Sequence, residues 1–514
     1  MKERLLIVLF CFAALLSSRA STSGCDGAGN CYVRSGASGS GNGSSWTNAY
    51  NGFGNNAGQI NPSSMSRGTT YWVAAGSYGS PNFSTADSGT AVITVQAATT
   101  SSHGPASDWS SSYAGQVIFG ADTSISSDYW TFNGQAWPCT DSVIACGTTG
   151  YNVYFHNTTD GSTTGAALIL SGGTPANPQT GIILTYVEVQ GINNGKSDDV
   201  GLEVQCSTSN FYLGYSYVHD VGVDLFSNQY TCSGQNYSGT GYIHEHDFYA
   251  HNHRGDSAAH AQAIATGAQD LVVRYSEFYD ITSSGGITDP FPGVVTLQNW
   301  AIYGNVFYWD TGETAGVGDG MVGLFGENMT GTVYIVNNTL AYVNNADCPN
   351  GVCNSPALFL CGKSGCGSGG SATGYIENNL WWNPDQGQGE MLDSGSAWNP
   401  TVDYNQCYCP SGGCSYSGLF TTQGSHDLQT NTGNPFVNFD GVSNFNVALV
   451  ADTSAGVAVT NWHTEPSWGC TPGKNCMDID GFGVTRSANG TIDRGALQIG
   501  SALNPPTNLS AAVH

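Results

Sequence analysis

The densest group of chemically versatile side chains in this chain of 514 residues lies in the segment HEHDFYAHNHRGDSAAHAQ, at 244–262. This segment holds five of the eleven histidines. Histidine exchanges protons near neutral pH, and an arginine can hold a carboxylate through two hydrogen bonds. We therefore predict an acid–base site with three catalytic candidates, His253, Arg254 and His260, and two substrate-binding candidates, His251 and Asp256. A metal site is an alternative interpretation, in which His251 and His253 need a further ligand.

A second group lies in NNGKSDDVGLE, at 193–203. Lys196 is one of four lysines in the chain and is our fourth catalytic candidate. The carboxylates that follow it could gather Ca²⁺, which takes about six to eight oxygen ligands. Asp residues also favour turns, so ordinary turn chemistry is the alternative. The predicted calcium ligands are Asp198, Asp199, Asp220 and Asp224.

A repeat must position these side chains. One pattern, apolar–x–apolar–x–x–anchor–x–apolar, returns about every thirty residues, which indicates stacked structural units. The residues that we align at the anchor position are Val187, Ser216, His246, Ser276, Asn305, Asn338 and Asn379. We expect anchor side chains to point inward, where Asn and Ser can hydrogen-bond their counterparts one unit away. His246 is therefore predicted to be structural.

The spacing within each unit indicates strands, because apolar residues alternate with a period of two before the anchor. A further strand is expected upstream in each unit, at 201–205, 224–227, 262–266, 294–298, 323–327 and 357–361. Three short strands in a period of about thirty residues, without a helical segment, predict an all-β parallel β-helix. Its polar loops would line one side of the solenoid, where a groove could bind a ligand.

The side chains three residues after each anchor are predicted to point outward and to form a stripe on the surface of the coil. Its members are Gln190, His219, Tyr249, Tyr279, Tyr308, Ala341 and Trp382. Stacked aromatic rings could hold sugar rings by face contact, so Tyr249 and Tyr279 are predicted to bind substrate. Cross-strand pairing that strengthens the coil is the alternative. His244 and Arg274 share another outward register, away from the loops.

Composition and the N-terminus narrow the class of partner. The formal net charge of −26, with 12 basic and 38 acidic residues, argues against nucleic acid and anionic membranes. Lys2 and Arg4, the apolar run 5–16 and a small-residue site predict a signal peptide at 1–20, hence secretion without a membrane span. We expect a monomer with a polysaccharide partner.

The sixteen cysteines are consistent with an oxidising compartment. Close spacing predicts local disulfides for Cys25/Cys31, Cys139/Cys146, Cys348/Cys353, Cys361/Cys366 and Cys470/Cys476. Cys206 and Cys232 could cross-link neighbouring coils. Cys407, Cys409 and Cys414 leave one sulfur over, and a zinc site is the alternative there.

Three strings, LVVRYSEFYD (271–280), WAIYGNVFYWD (300–310) and VYIVNNTLAYV (333–343), resemble rungs of right-handed parallel β-helix proteins of the pectate-lyase-like group. The resemblance covers residues of about 120–400. It implies a right-handed β-helix with a core at 119–400, an N-terminal cap and first coils at 25–118, C-terminal coils with a closing segment at 401–500, and a tail at 501–514. In the lyases of this group the substrate groove lies on the loop side of the coil.

Three functions remain open at this point. The first is a secreted polysaccharide lyase that cleaves a uronate-containing polymer by β-elimination, with a base, a carboxylate partner and possible help from Ca²⁺. The second is a glycoside hydrolase that uses two of the aspartates named above. The third is a non-catalytic protein that binds polysaccharide or acts as a surface adhesin.

Overall fold

A computed structural model describes most of the repeat region and both of its ends. The described residues are 25–135, 150–158, 165–174, 176–192, 199–205, 207–228, 231–232, 235–236, 239–252, 262–281, 285–288, 296–308, 322–324, 328–341, 358–360, 372–382, 400–408, 424–430, 433–439, 445–487 and 491–499. The predicted signal peptide (1–20) and tail (501–514) lie outside them.

Successive coils add strands to three sheets, named here in the order in which a coil enters them. The first sheet contains Asn30–Val33, Thr70–Val73, Ile93–Ala97, Trp130–Asn133, Gln179–Thr185, Thr208–Gly214, Thr240–Glu245, Gln269–Arg274, Thr296–Tyr303, Asn328–Val336, Thr373–Glu377 and Thr401–Asp403. The second sheet contains Gly76–Ser77, Val117–Gly120, Val153–His156, Val187–Gln190, Tyr217–Val221, Phe248–Asn252, Glu277–Ile281, Val306–Tyr308, Thr339–Ala341, Leu380–Trp382, Gln406–Tyr408 and Leu428–Thr430.

The third sheet is shorter, and a few elements lie outside the coils. The third sheet contains Asn82–Phe83, Thr123–Ile125, Gly165–Leu170, Asp199–Val204, Phe226–Asn228, Gln262–Thr266, Gly285–Thr288, Val322–Leu324 and Leu358–Leu360. The described residues also include a 3-10 helix and two antiparallel pairs. These are Ser111–Tyr113, Thr231–Cys232 with Gln235–Asn236, and Phe436–Phe439 with Phe445–Leu449.

Neighbouring strands within each of the three sheets are parallel and pair in register from coil to coil. Apolar side chains fill the interior, as Leu184, Leu213 and Val273 of the first sheet do at 0% exposure. Parallel strands joined by crossovers take the right-handed connection. The chain therefore folds as a right-handed parallel β-helix, which confirms the predicted fold class.

A polar ladder runs through one corner of the interior, between the first and second sheets. Each backbone N–H there donates to a side-chain oxygen one coil further on: Ser276 to Asn305 (2.9 Å), Asn305 to Asn338 (3.1 Å) and Asn338 to Asn379 (3.0 Å). The ladder continues to Asn405. Because these buried groups find partners in the next coil, the ladder specifies the stacking register. The predicted asparagine ladder is thus confirmed.

The predicted place of His246 in this ladder is wrong by one residue. Asp247 occupies it: its Oδ1 accepts from the Ser216 N–H (3.0 Å), and its own N–H donates to Ser276 Oγ (3.1 Å). His246 adopts a left-handed backbone (φ 57°), and its ring stacks on Tyr215 at 4.8 Å.

The same one-residue offset moves two further predictions. Tyr249 is fully buried beside Phe278, because it faces inward where an outward position was expected. His244 is also inward and fully buried, and its Nδ1 is 2.7 Å from the Tyr249 hydroxyl. The outward neighbour of Arg274 is therefore Glu245 rather than His244.

One predicted upstream strand is misplaced. The third sheet takes Gly285–Thr288, not 294–298, from this coil. Residues 296–298 of the predicted strand belong instead to the first-sheet strand Thr296–Tyr303, which pairs with Asn328–Val336 across a register irregularity. Residues 296–298 are therefore the start of the first-sheet strand, not part of a third-sheet strand.

After the last coil the chain returns along the outside of the helix. We call residues 451–487 and 491–499 the strap. Its Val459, Trp462 and Met477 pack on the outer face of the first sheet, against residues that include Tyr303 and Val336. Its backbone carbonyls accept hydrogen bonds from the same face. The strap therefore seals much of the outer surface of the first sheet.

Two predicted local disulfides are confirmed, Cys25–Cys31 and Cys470–Cys476. Cys407 is also disulfide-bonded, so it is not available as a zinc thiolate. The other predicted pairs involve residues outside the described ranges. No helix within the described residues is long and apolar enough to cross a membrane.

Candidate functional site

The outer face of the second sheet carries two columns of side chains at the alternate positions of its strands. One column runs through Tyr154, Glu188, Tyr217, Phe248 and Glu277, and the other through His156, Gln190, His219, Ala250, Tyr279 and Tyr308. Polar groups that are far apart in the sequence thus become neighbours. We call Glu188, Gln190, His219, Asp220, His251 and Asp280 the second-sheet cluster.

His219 lies between two carboxylates within this cluster. Its Nδ1 is 2.9 Å from Asp220 Oδ2, and its Nε2 is 3.3 Å from Glu188 Oε1. The ring also stacks on Tyr217 with centroids 3.8 Å apart. Burial opposes the charged form, but the two carboxylate contacts outweigh it and raise the pKa of His219. The imidazole is therefore fixed in orientation and favoured in its protonated form.

The two carboxylates beside His219 have further partners. Gln190 Nε2 donates to Asp220 Oδ2 (3.1 Å), and Gln116 Nε2 donates to Glu188 Oε2 (3.2 Å). The Tyr154 hydroxyl donates to Gln190 Oε1. Burial is the largest single effect and would raise the pKa of Asp220, but the hydrogen bond from His219, the nearby charges of His219 and His251 and the hydrogen bond from Gln190 together lower it. Asp220 is therefore a stable carboxylate rather than a proton donor.

His251 is the more accessible imidazole. Its side chain is 38% exposed, whereas the side chain of Asp280 is 2% exposed. The Nδ1 of His251 lies 3.6 Å from the Asp280 carboxylate. Asp220, His251 and Asp280 occupy equivalent positions on three consecutive coils, each with a left-handed backbone (φ 54°, 56° and 48°). His251 thus lies between carboxylates of both neighbouring coils, and its Nε2 side is the one turned away from Asp280.

The aromatic column beside the cluster is open at one end and covered at the other. Tyr279 is partly exposed and meets His251 edge-on at 5.0 Å, while it stacks on Tyr308 at 4.9 Å. Tyr308 itself is 5% exposed and packs against Phe439, which follows the last coil. A sugar ring could therefore reach Tyr279 but not the covered part of the stripe beyond it.

Apart from Asp199 and Asp224, the predicted site residues fall into three groups. His251, Asp220 and Tyr279 lie together in or beside the cluster. Tyr249 faces the interior, so its predicted place on the outer stripe is wrong. The remaining candidates in the two loops lie outside the described residues and keep their predicted roles as predictions: Lys196, Asp198, His253, Arg254, Asp256 and His260.

Two of the predicted calcium ligands accept hydrogen bonds from backbone N–H groups. Asp199 is 1% exposed, and its Oδ2 accepts the Gly222 N–H at 2.7 Å and the Ile192 N–H at 3.2 Å. Asp224 is fully buried, and its Oδ1 accepts the Gln262 N–H at 3.0 Å. Within the described ranges, no group of three or more His, Cys, Asp or Glu side chains could hold a metal ion. The described carboxylates therefore do not fit a resident Ca²⁺ centre.

Sequence reasoning did not single out Glu188 or Asp280. Glu188 is one residue after its anchor, an outward position that alternation makes equivalent to the stripe. Asp280 lies four residues after Ser276, as Asp220 does after Ser216. Both signals are present in the repeat, and reading two more registers would have found them. The contacts of His219 with both carboxylates need the stacking register, which the period alone does not supply.

A scan against protein-family models finds no match, and neither does a search of the curated proteins. Among solved structures, the chain is similar to pectate lyase Pel9A, with 13% identity, coverage of 91% of this chain and 96% of that chain, and a TM-score of 0.45. It is also similar to the PL6 family alginate lyase AlyGC, with 12% identity, coverage of 71% of this chain and 51% of that chain, and a TM-score of 0.36.

Proposed function

We propose that this protein is a secreted carbohydrate-active enzyme that cleaves a uronate-containing polysaccharide by β-elimination at the second-sheet cluster. One observation carries the proposal: an accessible imidazole, His251, faces a buried carboxylate, Asp280, beside an open aromatic ring. Such a pair is suited to proton transfer near neutral pH. The N-terminal sequence and the two disulfides support secretion.

β-Elimination removes the proton next to the uronate carboxylate and expels the glycosidic oxygen. In the proposal, His251 accepts that proton through Nε2, and Asp280 stabilises the imidazolium that forms. The ring faces of Tyr279 stack within the column against Tyr308 and Phe248, so Tyr279 is proposed to contact the sugar through its exposed edge. Arg254 and Lys196 are proposed to bind the substrate carboxylate as negative charge develops, and His253 and His260 are the alternative bases.

A glycoside hydrolase is the second candidate, because Glu188 and Asp220 stand on opposite sides of the His219 ring. Hydrolysis needs one carboxylic acid that keeps its proton at the working pH. The pKa of Asp220 is lowered rather than raised, since His219, His251 and Gln190 together outweigh its burial. The acid–base state of the cluster therefore favours imidazole chemistry over carboxylic-acid chemistry.

An acidic protein that binds an acidic polymer must offset their repulsion. With 38 acidic and 12 basic residues, the chain repels polyuronates at long range. We propose that Ca²⁺ from solution screens or bridges the two, without a dedicated protein cage among the described residues. If so, EDTA should weaken polymer binding and high monovalent salt should partly restore it.

The test is a polymer screen with an assay that only elimination can satisfy. Pectate, alginate, glycosaminoglycans and neutral glucans are incubated with the enzyme, and the ultraviolet absorbance of new unsaturated uronate ends is followed. Absorbance with at least one polyuronate supports the lyase. New reducing ends without absorbance would favour the hydrolase, and retention on the polymer without cleavage would favour a binding protein.

A further inference from the structure

Two carboxyl groups face each other near the C-terminal end of the first sheet. Glu377 and Asp403 are register partners on neighbouring strands. Asp403 is well satisfied: it accepts from the backbone N–H groups of Tyr404 (2.9 Å) and His426 (2.7 Å), and its Oδ2 is 2.8 Å from His426 Nδ1. Glu377 is 7% exposed, and its carboxyl has no hydrogen-bond partner among the described residues.

The charged groups around Glu377 are predominantly negative. Asp403 comes from the next coil, and Asp427 from the turn after it, where it accepts the Asn405 N–H at 2.6 Å. His426 is committed to Asp403, as given above. From the strap, Arg494 lies over the Tyr404 ring at 5.7 Å and donates to the Asn405 carbonyl (2.8 Å), so it does not neutralise Glu377.

Burial first, and then Asp403 and Asp427, raise the pKa of Glu377 to about 7. Glu245 lies in the same outward column of the first sheet, and its pKa is lowered to about 2 because Arg274 overcomes its burial. Of these two carboxyls, Glu245 has a cation beside it and Glu377 does not. The second carboxyl takes up a proton where the first does not.

The strap is fastened at residues one and two positions after Glu377 and Asp403, respectively. Asn378 exchanges hydrogen bonds with Val457 through its side chain (2.9 and 2.6 Å), and its carbonyl accepts the Gly495 N–H at 2.7 Å. Arg494 of the strap donates to the carbonyl of Asn405, which lies two residues after Asp403. Any repulsion that displaces Glu377 from Asp403 therefore acts at the points that hold the strap.

We propose that Glu377 and Asp403 form a proton-operated latch, in which the strap docks tightly while Glu377 carries a proton and loosens when Glu377 ionises. The proton passes to bulk water, and no other group changes its bonding. This latch does not depend on the proposed lyase activity. Its opening would expose the face of the first sheet that includes Tyr303 and Val336.

The direction of the pH effect follows from the two states of Glu377. With the strap docked, the pKa of Glu377 is about 7, and the ordinary value is 4.5. Docking therefore gains most below pH 4.5 and loses this gain as the pH rises to about 7, after which it levels off. Since Asp403 still faces Glu377 after the strap lifts, only the burial part of the shift is recovered. We expect the opening constant to rise by roughly tenfold across this window.

Hydrogen–deuterium exchange of strap peptides in the full-length protein tests the latch. Rates are corrected for intrinsic exchange and compared from about pH 5 to about pH 8. In the wild type, strap protection should fall by roughly tenfold while core peptides around Phe307 stay protected. Glu377→Gln, which is neutral at every pH, should keep the strap protected throughout.

Two further variants keep the test decisive. Glu203→Gln is the matched control, because Glu203 is 6% exposed with a raised pKa from burial but lies on the third sheet, and this variant should behave as the wild type does. Asp403→Asn removes the neighbouring charge and should move the loss of protection to lower pH. The latch is wrong if the strap of Glu377→Gln shows the same pH dependence as the wild type, or if the wild type shows none.

Discussion

Ionisable side chains on the outer face of the first sheet are covered, whereas those on the outer face of the second sheet include an accessible pair. On the first sheet, Arg274 Nη2 donates to Glu245 Oε2 (3.0 Å), and the side chains are 2% and 6% exposed beneath the strap. On the second sheet, His251 is 38% exposed above its carboxylate partner. Both pairs come from neighbouring coils of one solenoid. What separates a structural ion pair from a candidate for catalysis is therefore the covering segment rather than the residue types.

The strap completes the first-sheet pair as well as covering it. Arg274 donates to the Gly469 carbonyl, and the Tyr303 hydroxyl donates to the Asn475 carbonyl at 2.6 Å. The Asn475 side chain in turn donates to Glu245 Oε1 at 3.3 Å. Both Nη atoms of Arg274 and both carboxylate oxygens of Glu245 thus have partners within the protein, whereas Arg274 Nε is buried without one. In the second-sheet cluster, by contrast, the side chain of His251 is accessible to solvent.

The largest effect should come from breaking the sealed pair. Arg274→Ala leaves Glu245 buried without its cation, and we expect a loss of about 3–5 kcal/mol in the free energy of unfolding. Chemical denaturation measures this loss. If the comparison holds, cleavage activity of the protein that remains folded should change little. A loss of less than about 1 kcal/mol would show that Arg274 is not a structural residue.

A smaller effect, on catalysis, should follow from changing the open pair. Asp280→Asn removes the charge that stabilises the His251 imidazolium, so we expect kcat to fall by roughly 10–100-fold with KM nearly unchanged. Without this charge the basic form of His251 should predominate from a lower pH, so the pH–rate profile should shift to lower pH. An unchanged kcat and an unchanged profile would remove Asp280 from the proposed mechanism.

The smallest effect concerns the pH dependence of stability at His219. Its pKa is raised in the folded state, since Asp220 and Glu188 outweigh its burial. The stabilisation is therefore fully present below the ordinary pKa of about 6.5 and is lost as the pH rises through the folded value. Thermal unfolding of wild type and His219→Gln should differ most in acid and converge at alkaline pH. Parallel curves would contradict this assignment.

The fold was predictable because the repeat is nearly regular, and the polar ladder shows both the power and the limit of this. Asn305, Asn338 and Asn379 were identified from spacing alone. The distance in sequence from Ser216 to Ser276 is the same whether His246 or Asp247 is taken as the anchor between them. Spacing alone therefore did not distinguish the two residues, and His246 was aligned in place of Asp247. The extra residue lies before Asp247, and only the hydrogen bonds of the stacked coils reveal it.

Part of the candidate site was predictable from the sequence, but the contacts among its residues were not. The loop-lined edge near 193–262 was deduced from the repeat, and His251 and Asp220 were named. The contacts of His219 with Glu188 and Asp220 join residues up to 31 positions apart. Those contacts depend on which residues of successive coils are register partners. Likewise, no residue pattern indicates that the strap returns over the first sheet and covers Arg274.

The most direct test of the central claim compares His251→Ala with His463→Ala. His463 is a matched control: it is 65% exposed and its Nδ1 is 2.6 Å from Asp478, but it belongs to the strap. With a polyuronate that the wild type cleaves, initial rates of unsaturated-end formation are measured at equal concentrations of folded enzyme. We predict a loss of roughly 10²–10⁴-fold for His251→Ala and no more than about twofold for His463→Ala. Full activity of His251→Ala would contradict the proposal that the second-sheet cluster performs the chemistry.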